Sequence, residues 1–70
     1  MIAKLRRRIE REKERLKKKR LTENFGVKEC RMIRDYSYHL RTESNVSQKE
    51  LEEMNKLVDE FEEWCALYTG

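Results

Sequence analysis

The chain contains no proline and only two glycines. No ring constraint stops a helix anywhere, and Gly26 is the one internal position with glycine's backbone freedom. There is a single histidine, His39, and it stands at no spacing from a cysteine or aspartate that a nucleophilic site would use. A metal site built from Cys30, His39 and Cys65 has no recognised ligand spacing and lacks a fourth ligand, so no metal or other cofactor is expected. No glycine-rich phosphate loop is present. No run approaches the ~18 consecutive apolar residues of a membrane span. The positive start of the chain is followed by no apolar stretch, which argues against a secretory signal. The expected location is the cytoplasm. In a reducing compartment the two cysteines, Cys30 and Cys65, read as small buried apolar residues, and they would bridge only if their helices pack together.

Charge is what the chain has in abundance, at 44% of residues. It is unevenly placed. Residues 1–20 carry eleven bases against three acids, Glu10, Glu12 and Glu14, and are therefore about +8, while the whole chain is +3 and the remaining fifty residues sum to −5. Seventy residues allow one small domain with a modest core. The high charge and 37% apolar content suit an all-α, coiled-coil-like protein.

The spacing predicts three helices, at about 2–21, 25–40 and 47–68. In the first, Ile2, Leu5, Ile9 and Leu16 recur at helical intervals, with Glu12 and Lys19 in slots where apolar residues would continue the seam. Glu10 is placed to reach Lys13, and Glu14 to reach Lys17. Residues 21–26 read as a break, with Thr22 or Asn24 as a cap for the second helix. There Cys30, Ile33, Ser37 and Leu40 repeat at three and four, widened by Phe25, Met32 and Tyr36. Residues 41–45 are polar and read as the second loop. Ser47 and Glu50 form a capping box, with Val46 and Leu51 as its hydrophobic staple. Leu51, Met54, Val58, Phe61, Cys65 and Tyr68 then mark the inner face of the third helix, and Glu52, Glu53, Asp59, Glu60 and Glu63 its acidic outer face. The organisation is a basic N-terminal helix over 1–21 and a helical hairpin over 22–70 within one small domain. The first helix either docks on the hairpin or projects from it. Deleting residues 1–20 is expected to leave a folded helical hairpin or dimer while removing partner binding.

The stretch Glu23-Asn24-Phe25-Gly26-Val27-Lys28-Glu29-Cys30-Arg31, then Ile33-Arg34-Asp35, with Trp64-Cys65 further on, resembles small bacteriophage proteins in which an E-N-F-G-x-K-E core precedes a helix and a Trp-Cys pair lies near the C-terminus. The resemblance covers about a dozen residues and the Trp-Cys pair. It implies a phage product acting in the cytoplasm of a host cell, but no specific activity.

With catalysis unsupported, the expected role is binding. The candidate surface is Arg6, Arg7, Arg8, Arg11, Arg15, Lys17, Lys18, Lys19 and Arg20. The apolar seam of Ile2, Leu5, Ile9 and Leu16 supplies anchors for a groove on a partner. Because phosphate binding has no need of such a seam, the leading reading is a non-enzymatic interaction protein, a phage inhibitor or modulator that engages an acidic host protein. The alternative is sequence-independent binding of DNA or RNA through phosphates, which a dense basic helix favours by counterion release. An acidic third helix that imitates nucleic acid is a variant of the first reading. A third reading is a structural homodimer, joined through Phe61, Trp64 and Tyr68 into a four-helix core.

Overall fold

In a computed structural model the chain is an all-α protein. The structure describes residues 2–20 and 24–69. Helix α1 spans Ile2–Lys17, α2 Val27–Glu43 and α3 Gln48–Thr69. Antiparallel pairing of α2 and α3 follows from Cys30 meeting Cys65 and Arg34 meeting Glu62. Helix α1 runs alongside both. Arg8 lies on Tyr36 and Lys13 on Trp64, so α1 is antiparallel to α2 and parallel to α3. The result measures 38 × 16 × 16 Å.

All three helices contribute to one core. Leu5, Ile9 and Leu16 come from α1, Ile33 and Leu40 from α2, and Met54, Val58, Phe61 and Cys65 from α3, with Phe25 from the connection. The first helix is docked, and the seam read from its sequence is its inner face. One slot in that seam is not apolar. Glu12 is as deeply buried as the leucines around it, with 2% of its surface exposed. The other, Lys19, is exposed.

Helix boundaries differ from expectation where side chains intervene. Helix α1 ends at Lys17 rather than near residue 21, and the Lys18 and Lys19 amides donate to the Arg15 and Leu16 carbonyls in a tightened last turn. Beyond it the Lys19 ammonium reaches across to Glu29, 3.0 Å away, instead of continuing the helix. The expected cap at Thr22 lies outside the described residues. Asn24 is not the side-chain cap; Gly26 occupies that position with a left-handed φ of 77° and no side-chain hydrogen bond. Helix α2 continues past Leu40 to Glu43. Thr42 Oγ1 donates to the His39 carbonyl, and His39 Nε2 is 2.8 Å from Glu43 Oε1, so local side-chain contacts carry the helix through residues that read as loop. The connection to α3 is correspondingly short, residues 44–47.

The start of α3 follows its sequence signal closely. The Glu50 amide donates to Ser47 Oγ at 3.2 Å, and Leu51 N bonds the Ser47 carbonyl at 2.9 Å. The return half of the capping box differs in its partner. Glu50 Oε1 meets the Ser47 hydroxyl, 3.2 Å away.

Candidate functional site

At roughly 100° per residue, the sixteen positions of α1 divide into three strips. The inner strip is Ile2, Leu5, Ile9, Glu12 and Leu16. Two flanks remain, and they differ in kind.

The flank towards α3 is charge-compensated. Lys13 is 3.8 Å from Glu10 and Lys17 is 3.2 Å from Glu14. The Lys13 ammonium also lies 5.5 Å from the centre of the Trp64 ring. A cleft of about 360 Å³ on this side mixes Arg6 and Lys13 with Glu10 and Glu60, over Ile9, Leu57 and Phe61. Bases and acids alternate here, so the flank presents little net field.

The flank towards α2 holds Lys4, Arg7, Arg8, Arg11 and Arg15, and no acid. They recur at intervals of three, one, three and four, which confines them to an arc of roughly 100°. Lys4, Arg7, Arg8 and Arg11 line a cleft of about 310 Å³ together with Tyr36 of α2. The Arg8 guanidinium carbon lies 5.5 Å from the centre of the Tyr36 ring, within cation–π range. Arg8 Nε is also 3.3 Å from Glu12 Oε1, and Arg15 Nη1 is 3.9 Å from Glu12 Oε2. The buried carboxylate thus sits behind the strip and orients two of its members. Lys4, Arg7 and Arg11 are exposed and enter no ion pair among the described residues. A groove walled by four cations and a half-buried tyrosine, with no carboxylate in its lining, is suited to a multivalent anion.

The remaining basic candidates are scattered. Arg6 lies on the compensated flank, Lys17 is paired with Glu14, and Lys19 is committed to Glu29. Lys18 and Arg20 are exposed beyond the end of α1. The sequence reading missed Tyr36 and Lys4 as members of the site. Tyr36 sits on the α2 stripe taken as core, and only the packing of α2 against α1 brings its ring to the arginines.

One further expectation needs correction. Leu5, Ile9 and Leu16 are buried and Ile2 is half-buried against the core, so the seam is occupied within the fold and is not open to a partner's groove. Of the expected oligomer surface, Phe61 is buried, Trp64 half-buried and Tyr68 exposed. Phe61 is 1% exposed and stacks on Trp64 at 6.2 Å, Trp64 stacks on Tyr68 at 4.9 Å, and Tyr68 stacks on Phe25 at 5.4 Å.

The acidic outer face of α3 is exposed as expected, with Glu52, Asp59, Glu60 and Glu63 around a shallow cleft. Another cleft of about 550 Å³ between α2 and α3 mixes Arg34 and Arg41 with Asp35 and Asp59, and carries no single sign of charge. Among the described residues no helix is long and apolar enough to cross a membrane. No family model, no curated protein and no solved structure matches the chain.

Proposed function

We propose that the protein is a non-enzymatic nucleic-acid-binding protein that docks the α1/α2 groove on the phosphate backbone. The observation that carries this reading is the separation of roles on α1. Its apolar seam is used inside the fold, and of the two flanks left over the one towards α2 is purely basic. A partner's groove would need the seam as an exposed anchor, and the fold buries it.

The dimensions agree with a backbone contact. From Lys4 to Arg15 the strip runs roughly 16 Å along the helix. One strand of duplex DNA carries a charge per ~3.4 Å of axis, so five cations face about five phosphates over that length. Because α1 is packed against both other helices, it lies across the backbone rather than entering a groove alone. Contacts from Arg and Lys to phosphates carry no base information, so binding is independent of sequence. The acidic face of α3 adds a second feature. A molecule basic along one side and acidic along another has a field that orients it as it approaches a polyanion.

The test is a fluorescence-anisotropy titration of labelled duplex DNA and single-stranded RNA across a salt series. The logarithm of affinity should fall against the logarithm of salt concentration with a slope of about −4.5 on duplex DNA and about −3.5 on single-stranded RNA. The triple variant Lys4→Glu, Arg7→Glu, Arg11→Glu should lose more than about tenfold in affinity at ~0.1 M salt, since several charge contacts are reversed. Arg6→Glu with Lys17→Glu and Lys18→Glu makes the same change in net charge outside the strip and should cost much less. Equal losses in the two triples would leave only diffuse charge attraction and sink the assignment of the groove. Failure of the wild type to bind nucleic acid, with binding to polyglutamate instead, would make the partner an acidic protein.

A further inference from the structure

Cys30 of α2 and Cys65 of α3 are 35 residues apart in the chain, yet their Sγ atoms are 3.9 Å apart, with the Cys30 thiol donating. These are the chain's two cysteines. The pair is not sealed in the interior. Both thiols lie in the wall of a cleft of about 380 Å³, beside Phe25, Gly26 and Glu62. Cys65 is buried and Cys30 half-buried. The glycine at position 26 is what admits the Cys65 sulfur, because a Cβ there would fall 2.6 Å from Sγ. Cleft, glycine and thiol pair thus coincide where the end of α3 meets the start of α2.

We propose that Cys30 and Cys65 are a modification site, closing into an intramolecular disulfide when the protein meets a low-molecular-weight disulfide such as oxidised glutathione, and so joining α2 to α3 by a reversible covalent staple. The Cys30 thiolate, the more exposed of the two, attacks one sulfur of the reagent. A mixed disulfide forms and the first small thiol leaves. The Cys65 thiolate then attacks the Cys30 sulfur, the mixed disulfide breaks, and the second small thiol leaves. Two protein thiols are oxidised and one reagent disulfide is reduced to two thiols. A disulfide needs the sulfurs at about 2.05 Å, so they must approach by roughly 1.9 Å. The cleft gives the side chains space to rotate. The helices are already held in register one turn away, where Arg34 pairs with Glu62.

The surroundings set the speed of this step. Burial pushes both thiols up, Cys65 to about 12. Glu29 raises both and Glu62 raises Cys30 further, against Arg34 beside Cys30 and Lys13 beside Cys65. Thiolate is scarce at neutral pH, so closure is slow there and accelerates as pH rises. The pair is therefore a slow staple and not a fast sensor.

The experiment incubates the full chain with oxidised glutathione over a pH series and follows intact mass, non-reducing electrophoresis and thermal melting. The expected product is a monomer lighter by two hydrogens, restored by dithiothreitol, forming faster at higher pH and melting at a higher temperature than the reduced chain. The higher melting point follows from the long loop that the bond closes. In Cys30→Ser both the hydrogen loss and the rise in melting temperature should vanish. A wild-type product that keeps glutathione attached, links two chains, melts lower when oxidised, or fails to form even under alkaline conditions would overturn the proposal. These outcomes are read on the wild type, so they stand even if the serine variant does not fold.

Discussion

Glu12 Oε1 lies 3.3 Å from Arg8 Nε, against a core of apolar side chains. Glu12 Oε2 and Arg8 Nε complete no hydrogen bond among the described residues. A buried carboxylate so poorly satisfied loses more in desolvation than it regains from its partners. Glu12→Leu should raise stability by about 1–3 kcal/mol, completing the seam of α1. Arg8→Met should destabilise the wild type, because it leaves the carboxylate with Arg15 alone, and should be near neutral in the Glu12→Leu background. A chemical-denaturation cycle over the four proteins checks both statements. If Glu12→Leu weakens the fold, the carboxylate holds the core together in a way that simple desolvation does not describe.

Glu29 makes a different use of burial. Desolvation alone would raise its carboxyl, but the hydrogen bond and charge of Lys19, with help from the backbone amide and Lys28, outweigh it and hold the carboxyl below its ordinary value of 4.5. A group whose pKa is lowered on folding stabilises the fold above its unfolded value. That stability is lost as pH falls from about 4.5 through the folded value. Lys19→Met should therefore weaken the fold near neutral pH and flatten its acid limb, so that the two proteins converge in acid. Urea melts from pH 7 down to about pH 2 measure this, and parallel curves for the two proteins would disprove the linkage. Since Lys19 is half-exposed, solvent screens the pair and the effect is modest.

Gly26 combines a positive φ of 77° with a close neighbour, since an added Cβ would stand 2.6 Å from Cys65 Sγ and 3.1 Å from Cys65 Cβ. Gly26→Ala should cost at least about 1–3 kcal/mol. Part of that is the left-handed backbone and part is the clash with sulfur. In a Cys65→Ala background the second part is relieved, so Gly26→Ala should cost less there than in the wild type. Equal costs in both backgrounds would assign the whole penalty to the backbone.

Much of this architecture was readable from residue spacing, and the parts that were not have specific causes. The third helix announced itself because a cap at Ser47 and a repeat from Leu51 onward are local signals, and both depend on residues near in sequence. The seam of α1 was visible for the same reason. That Glu12 turns inward was half visible: its slot was the right one, but composition gives no sign that Arg8 and Arg15 would follow it. The extension of α2 to Glu43 was hidden because Arg41, Thr42 and Glu43 carry no apolar repeat, while the Thr42 and Glu43 side chains reach back to His39. At the candidate site the arginines stood in plain view. The groove did not, since Tyr36 reaches Arg8 only through the packing of two helices.

Tyr68 is the keystone of the aromatic series, stacked between Trp64 at 4.9 Å and Phe25 at 5.4 Å. Through it the last turns of α3 are tied to the residues that precede α2. Tyr68→Ala should cost about 1–3 kcal/mol, two ring contacts at about 0.5–1.5 each. Trp64 is the chain's one tryptophan and reports the change directly. Its emission should shift to the red in the folded variant as one face meets water. An unshifted spectrum with unchanged stability would mean that the stack contributes nothing beyond proximity.

The docking of α1 has the largest consequence for the fold. Leu5 and Leu16 are 0% and 1% exposed, and they share one core with Ile33, Met54 and Phe61. A hairpin of α2 and α3 stripped of α1 would leave that surface in water. Two helices alone seldom bury enough to be stable at this size. A chain consisting of residues 24–70 should therefore lose its cooperative thermal transition and bind hydrophobic dyes, as a partly collapsed helical state does. Added α1 peptide should restore the transition in a concentration-dependent way, because it binds the folded form and not the unfolded one. A sharp melt for the truncated chain alone would show that the hairpin is self-sufficient and that α1 is an appendage to it. The same experiment separates the folding role of α1 from the binding role proposed for it. A peptide carrying Lys4→Glu, Arg7→Glu and Arg11→Glu keeps the inner strip intact, so it should still restore folding while leaving nucleic acid unbound.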